Sequence, residues 1–245
     1  MTINNLSLFE VLNIIFYKIF KPKLHLKNEP YISINGKNLW EYGFDYREPW
    51  SGESDTRKCN LIWRKQNIEI KDDEIFLKAD KENDIINTGG LISSHKCINI
   101  NRGYIEVEAK MPPRGFKYFP AIWMYNIDTW LPEIDIVELM GKDSRYFTFT
   151  YHYFKNEKHC SKRSGFKHNT DLSLNYHRFG VLITKKYITW YLDRYPYFKT
   201  KNLYPDKKLF LICNIQAELD DDNCYIPFKE DEIPEYMIIK NINIT

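Results

Sequence analysis

Beyond about residue 28, the apolar residues of this 245-residue chain recur at every second position, in short runs broken by turn residues. A period of two sends successive side chains to opposite faces of an extended strand, whereas a helix needs apolar residues three and four apart. Asn67-Ile-Glu-Ile-Lys71 and Glu74-Ile-Phe-Leu-Lys-Ala79 make one such pair, joined by Asp72-Asp73 as a hairpin turn. Gly103-Tyr-Ile-Glu-Val-Glu-Ala-Lys-Met111 alternates apolar and charged residues, then stops at Pro112-Pro113. Residues 146–154, 179–184, 187–193 and 209–217 are further strand candidates. No internal repeat and no long helical period interrupts them. Many strands without intervening helices predict an all-β fold, a two-sheet antiparallel β-sandwich or jelly roll, and single sandwiches reach this length.

The amino-terminal segment departs from that pattern. Residues 6–20 are apolar almost throughout and are followed by Lys21, Lys23 and Lys27. An export signal is a poor fit, because Glu10 interrupts the run, no basic start precedes it and no small-residue cleavage site follows. The run is also short for a membrane span. The expectation is a helical appendage over residues 1–28 that covers one end of a domain spanning residues 29–245. An interfacial membrane anchor through residues 6–20 is the weaker alternative. Without a clean signal, the cellular location stays open.

Composition narrows the partners. A formal net charge of +2 lacks the concentrated basic face that nucleic acid demands, so no nucleic-acid partner is expected. Eighteen Tyr and fifteen Phe suit a β core, and a few aromatic rings could also pave a groove for sugars. The five cysteines cannot all pair within one chain, and none stands in a C-x-x-C arrangement. No G-x-S-x-G elbow, H-E-x-x-H zinc helix or phosphate-binding glycine loop is present. No cofactor is expected, and a monomer is.

The informative stretch is Trp130-Leu-Pro-Glu133-Ile-Asp135-Ile-Val-Glu138-Leu-Met-Gly141. Three acids sit among residues that favour a sheet, and burying carboxylates is costly unless they are used or paired. On a regular strand Glu133 and Asp135 share a face while Glu138 points away. One extra residue, a β-bulge between Asp135 and Glu138, would return all three to one face. A helix would not, since a five-residue offset turns side chains about 140° apart. With the bulge, the two Glu α-carbons lie roughly 13 Å apart, and inward-leaning side chains can approach about 5–6 Å, the spacing of a retaining glycosidase. In that reading Glu133 is the nucleophile, kept ionised by polar neighbours, and Glu138 is the general acid, its pKa raised by the charge on Glu133. Asp135 orients Glu133 and tunes the pair. The competing view is a solvated strand with three outward acids.

These residues, and others along the chain, resemble glycoside hydrolase family 16, the laminarinase, agarase and carrageenase group. Glu133, Asp135 and Glu138 match the family's bulged Glu-x-Asp-x-x-Glu strand of nucleophile, helper and acid/base. Thr88-Gly-Gly-Leu-Ile-Ser-Ser94 and residues 103–110 look like its early strands, and Phe119-Pro-Ala-Ile-Trp-Met124 resembles its Trp-Pro-Ala-Phe-Trp strand. Tyr176-His-Arg-Phe-Gly180, Trp190-Tyr-Leu-Asp193 and Leu209-Phe-Leu-Ile-Cys-Asn214-Ile-Gln216 match later strands. The resemblance implies a jelly roll with a concave substrate cleft and endo-cleavage of a β-linked polysaccharide of glucan or galactan type. Lichenases carry one residue fewer between Asp and the second Glu, so a lichenase-type mixed-linkage specificity is not expected.

Several further residues are read against that background. Trp130 is a candidate stacking platform for a sugar, ahead of a core role, while Trp123 is balanced between the two. His152 matches a cleft histidine of the family. Asn214 and Gln216 share a strand face with Phe210 and Ile212 and need polar partners, which sugar hydroxyls could supply. Lys158-His159, Lys162-Arg163 and Lys167-His168 read as a solvated loop, with contact to an anionic polysaccharide as the alternative. Where the family commonly carries a calcium-binding Asp in its last strand, this chain has Lys240, so no metal is expected there. A glycine turn of the family is replaced by Asp220-Asp-Asp222. A transglycosylase on the same scaffold and a non-catalytic carbohydrate-binding jelly roll remain alternatives to the hydrolase.

Overall fold

The computed structural model describes residues 32–46, 54–55, 61–113, 117–139, 143–219 and 225–245. The expected helical appendage over residues 1–28, Cys59, Cys224 and the Asp220–Asp222 turn lie outside the described residues. In chain order the strands are β1 (Ile32–Ile34), β2 (Ser54–Asp55), β3 (Leu61–Trp63), β4 (Ile68–Lys71), β5 (Glu74–Lys81) and β6 (Asn87–Ser93). β7 (Gly103–Lys110), β8 (Tyr118–Asn126), β9 (Trp130–Glu138), β10 (Tyr146–Lys155) and β11 (Lys158–Lys167) follow. The last five are β12 (His177–Ile183), β13 (Tyr187–Leu192), β14 (Tyr195–Lys201), β15 (Phe210–Ala217) and β16 (Glu235–Ile244). Among the described residues, no helix is long and apolar enough to cross a membrane.

Two layers emerge from the pairing. One runs β11-β10-β9-β8-β15-β6, the other β5-β16-β7-β12-β13-β14, and short β5–β6 pairing at Asp80–Thr88 and Lys81–Asn87 joins them at one edge. Only β3 with β6 is parallel among the described pairs. This is the expected antiparallel jelly-roll sandwich. Its core is filled as the period-two pattern requires: Ile134, Ile136 and Val137 of β9 and Phe147, Phe149 and Tyr151 of β10 are fully buried. Trp190, Phe179 and Val181 of the other layer belong to the same core, with Phe198 packed against it, and the Phe149 and Trp190 ring centroids are 6.5 Å apart. Many of the aromatic rings among the described residues therefore fill the core. Burying one such ring contributes about 2–3 kcal/mol.

Three tight hairpins share one device. Asp72-Asp73, Asn156-Glu157 and Asp193-Arg194 all have positive φ at both positions, between 50° and 66°. Primed two-residue turns demand this because their twist matches the strands they join, and Asp and Asn tolerate it best. The expected Asp72-Asp73 hairpin forms, although Asn67 lies in a 3-10 turn rather than in β4. There its side chain donates to the Lys78 carbonyl and Thr88 Oγ1, strapping β5 to β6.

The basic segment expected as a solvated loop is instead the edge strand β11, paired with β10 along ten residues. Its charge hid it: an edge strand with one open side tolerates lysines on it, and they discourage pairing with another chain. Among the cysteines, Cys97, Cys160 and Cys213 are free, and burial pushes the Cys213 thiol well up.

Candidate active site

β9 lies between β8 and β10 near the middle of its layer. Its register slips by one residue on both sides. Against β8, Ala121 faces Glu138 and Ile122 faces Val137, but Trp123 faces Asp135. Against β10, Thr148 faces Glu138 while Thr150 faces Asp135 and His152 faces Glu133. The extra residue between Asp135 and Glu138 sends Ile136 and Val137 both into the core. Glu133, Asp135 and Glu138 then share the face turned away from the partner layer. The indole N–H of Trp190, from that partner layer, donates to the Asp135 carbonyl at 2.8 Å and ties down the backbone at the bulge.

Side chains opposite these acids complete the face. His152 Nε2 lies 3.2 Å from Asp135 Oδ2 and 3.7 Å from Glu133 Oε1. His152 Nδ1 is 2.9 Å from His159 Nε2 on β11, and the two rings stack with centroids 5.0 Å apart. Trp130 donates its indole N–H to Glu133 Oε2. This tryptophan has φ 58° and is 63% exposed, so its ring stands out over the face, just ahead of the cis Leu131-Pro132 peptide. Glu138 Oε2 accepts from Thr148 Oγ1 and Thr150 Oγ1, both at 3.2 Å, and from Arg163 Nη2 at 3.3 Å. Arg163 Nε in turn donates to Thr150 Oγ1 at 3.1 Å.

The proton balance differs from the sequence expectation. Polar neighbours do not suffice to keep Glu133 ionised. Burial, then the nearby charge of Asp135, push its carboxyl up to about 8 against the pull of the Trp130 indole and His152. Asp135 is also held well above the usual carboxylate range, first by burial and then by the charge of Glu138, against Arg163 and Thr150. Three carboxylates crowded on a half-dry face cannot all be charged at once, so the Glu133–Asp135 pair retains a proton.

The remaining sequence candidates fall on the same sheet face. Trp123 is partly buried, stacks on Tyr125 at 5.2 Å and donates its indole N–H to Asn214 Oδ1 at 2.8 Å. Asn214 is itself buried, so its amide carbonyl is engaged with Trp123. Gln216 is half-buried and lies opposite Phe119 on β8. Lys240 sits on β16, remote in register from β9, with its ammonium 5.5 Å from the centre of the Tyr176 ring.

Four partners were not singled out from sequence for these roles: Thr148, Thr150, Arg163 and His159. A signal for the threonines existed, since Phe147-Thr-Phe-Thr-Tyr-His152 alternates perfectly and puts Thr148, Thr150 and His152 on one face. For Arg163 and His159 none did, because their placement depends on pairing across the Asn156-Glu157 hairpin.

Comparisons with known proteins bear on the family and the fold. The sequence model described as glycosyl hydrolases family 16 matches residues 55–217, more than half of the chain. The endo-1,3-1,4-beta-glycanase EglC of Rhizobium meliloti (strain 1021) is 35% identical over 107 residues, which cover 43% of this chain and 22% of that protein. This chain thus spans about a fifth of that curated relative's length. The laminarinase catalytic domain of Thermotoga maritima MSB8 superposes with a TM-score of 0.71 at 21% identity, covering 88% of this chain and 97% of that one. The kappa-carrageenase of Pseudoalteromonas carrageenovora gives 0.68 at 21% identity over 92% and 98%. At such identity, the structural likeness speaks for the fold.

Proposed function

The chain belongs to the glycosyl hydrolases of family 16, and from that premise we propose that it cleaves internal bonds of a β-linked polysaccharide, a β-1,3-glucan or a galactan, with retention of anomeric configuration. One observation carries the reading: the bulge in β9 brings Glu133, Asp135 and Glu138 to one open face.

In the proposed double displacement, Glu133 attacks the anomeric carbon while Glu138 protonates the departing glycosidic oxygen. The carboxylate–sugar ester then forms as the bond to the leaving sugar breaks. Water, deprotonated by Glu138, attacks the ester and releases Glu133 again. Attack requires the charged form of Glu133, so the proton shared by the pair must sit on Asp135 at that moment. A protonated Asp135 can then donate to Glu133 and spread the returning charge once the ester is hydrolysed. Trp130 holds Glu133 by its indole N–H and offers its exposed ring to a sugar face. Thr148, Thr150 and Arg163 fix Glu138 in position.

Relatives' names include endo-1,3-1,4-beta-glycanases, a glucan endo-1,3-beta-glucosidase and a kappa-carrageenase. The mixed-linkage names argue against discarding that linkage on motif spacing alone. The test is a panel of laminarin, mixed-linkage β-glucan, agar, carrageenan and bacterial capsular polysaccharides, read by new reducing ends and by NMR of the anomer first released. The expected result is β-anomer release from at least one polymer, abolished in Glu133→Gln. Products longer than the substrate would move the reading to transglycosylation, and a panel bound but never cleaved would move it to a carbohydrate-binding protein.

A further inference from the structure

The cluster that supports hydrolysis has a second chemistry. One donor atom each from Glu133, Asp135 and His152 lies within 4.8 Å of the others. Two donors about 2.1 Å from a zinc ion at the tetrahedral angle stand roughly 3.4 Å apart. His152 Nε2 is 3.2 Å from Asp135 Oδ2 and 3.7 Å from Glu133 Oε1, spacings close to that value without rearrangement of the backbone. Acidic neighbours alone would not make a site. Here, however, Asp135 is 4% exposed, and its Oδ2, turned into the cluster, accepts no well-aligned hydrogen bond among the described residues, although His152 Nε2 lies 3.2 Å away. A buried carboxylate oxygen in that state is costly, and a cation would satisfy it.

The imidazole is also held as metal-binding histidines are. Its Nδ1 lies 2.9 Å from His159 Nε2. With the proton on Nδ1 and donated to His159, the Nε2 lone pair faces the two carboxylates. A partner on the far ring nitrogen fixes ligand orientation and tautomer. Glu133 and His152 are only partly buried, which leaves the outer coordination positions to water. One imidazole and two carboxylates suit a borderline divalent ion, whereas calcium and magnesium prefer all-oxygen shells with more ligands.

We propose that Glu133, Asp135 and His152 bind one divalent transition cation of the zinc class, and that the bound ion blocks the carboxylates and excludes the sugar. Binding is independent of the hydrolytic reading, whereas inhibition rests on it. The experiment is calorimetric titration of zinc chloride into the chelator-stripped full chain, beside His152→Ala, His152→Gln, Asp135→Asn, His159→Ala and, as a remote control, His168→Ala, all checked for folding by circular dichroism.

The expected result is one saturable ion per chain, weakened at least tenfold by each substitution of His152 or Asp135 and about tenfold by His159→Ala. His168→Ala should titrate as the wild type, and magnesium and calcium should give no saturable heat. Absence of saturation up to about 1 mM zinc, or wild-type affinity in the folded His152 variants, overturns the site. Zinc that binds as expected yet leaves glycan cleavage untouched overturns the blocking role. Should no glycan be cleaved at all, the hydrolytic reading fails while the calorimetry still decides the metal site.

Discussion

The indole N–H of Trp190 on β13 donates to the backbone carbonyl of Asp135 on β9 at 2.8 Å, across the two layers of the sandwich. The acceptor sits at the register slip that turns Glu138 to the face of Glu133. One side chain of the core thus helps hold the backbone on which the geometry of the carboxylates depends.

Replacing Trp190 by Phe keeps an aromatic ring in the core but leaves that carbonyl without its donor. The unsatisfied acceptor and the missing ring volume together should cost about 2–4 kcal/mol. Urea denaturation measures this, and turnover on a cleaved glycan should fall about tenfold or more as the bulge loosens. A stability loss with unaltered turnover would mean that the strand keeps its kink without Trp190.

Arg163 reaches Glu138 from the edge strand, and its side chain is 43% exposed. Arg163 is well solvated and Glu138 keeps Thr148 and Thr150, so Arg163→Met should change stability by only about 1 kcal/mol. Turnover should nonetheless drop roughly tenfold with KM little moved, because Glu138, the proposed proton donor, loses one of three groups that orient it. Arg163→Lys should recover only part, since a lysine cannot hold Glu138 and Thr150 at once.

Trp130 separates binding from folding in the opposite sense. Its ring is mostly outside the core, so Trp130→Ala should leave the melting temperature within about 2 °C. KM should rise about tenfold through loss of the stacking surface. Turnover should fall as well, because Glu133 loses the indole that pulls its carboxyl down. An unchanged KM would rule out the proposed stacking of Trp130 on a sugar.

Glu133 ties pH to stability with a definite sign. Its folded pKa, about 8, lies above its ordinary value of 4.5, so the folded chain binds more protons than the unfolded chain between those limits. Stability therefore falls as pH rises through that window, and the loss is complete above pH 8. Glu133→Gln removes that charge and its share of the slope, leaving the share of Asp135. In chelator-treated buffer the variant should gain on the wild type from pH 5 to pH 8, by up to a few kcal/mol. Parallel stability curves for the two proteins over this range would contradict the raised value.

Much of this molecule could be read along the chain. The period of two in residues 74–79, 103–111 and 146–154 follows from strand geometry, and each of these runs lies in a strand but for Met111, one residue past the end of β7. The five-residue spacing of Glu133 and Glu138 required a bulge if both were to serve one face, and the register slips there. Less legible was β11, where Lys158–Lys167 carries no alternation because an edge strand has water on one side.

What the sequence by itself determined is local: which residues alternate, where a chain can turn with positive φ at Asp72-Asp73, and which acids can share a side of one strand. Only the tertiary structure decided that Trp190 grips Asp135, that Arg163 steadies Glu138 and that His159 backs His152. It also decided that Glu133 and Asp135 are both held above the usual carboxylate range. The physical reason is that strand periodicity is a property of neighbouring residues, whereas pairing across layers and the drying of a cleft arise only when distant segments close on one another. Desolvation, which lifts Glu133 and Asp135 most, has no counterpart in the extended chain.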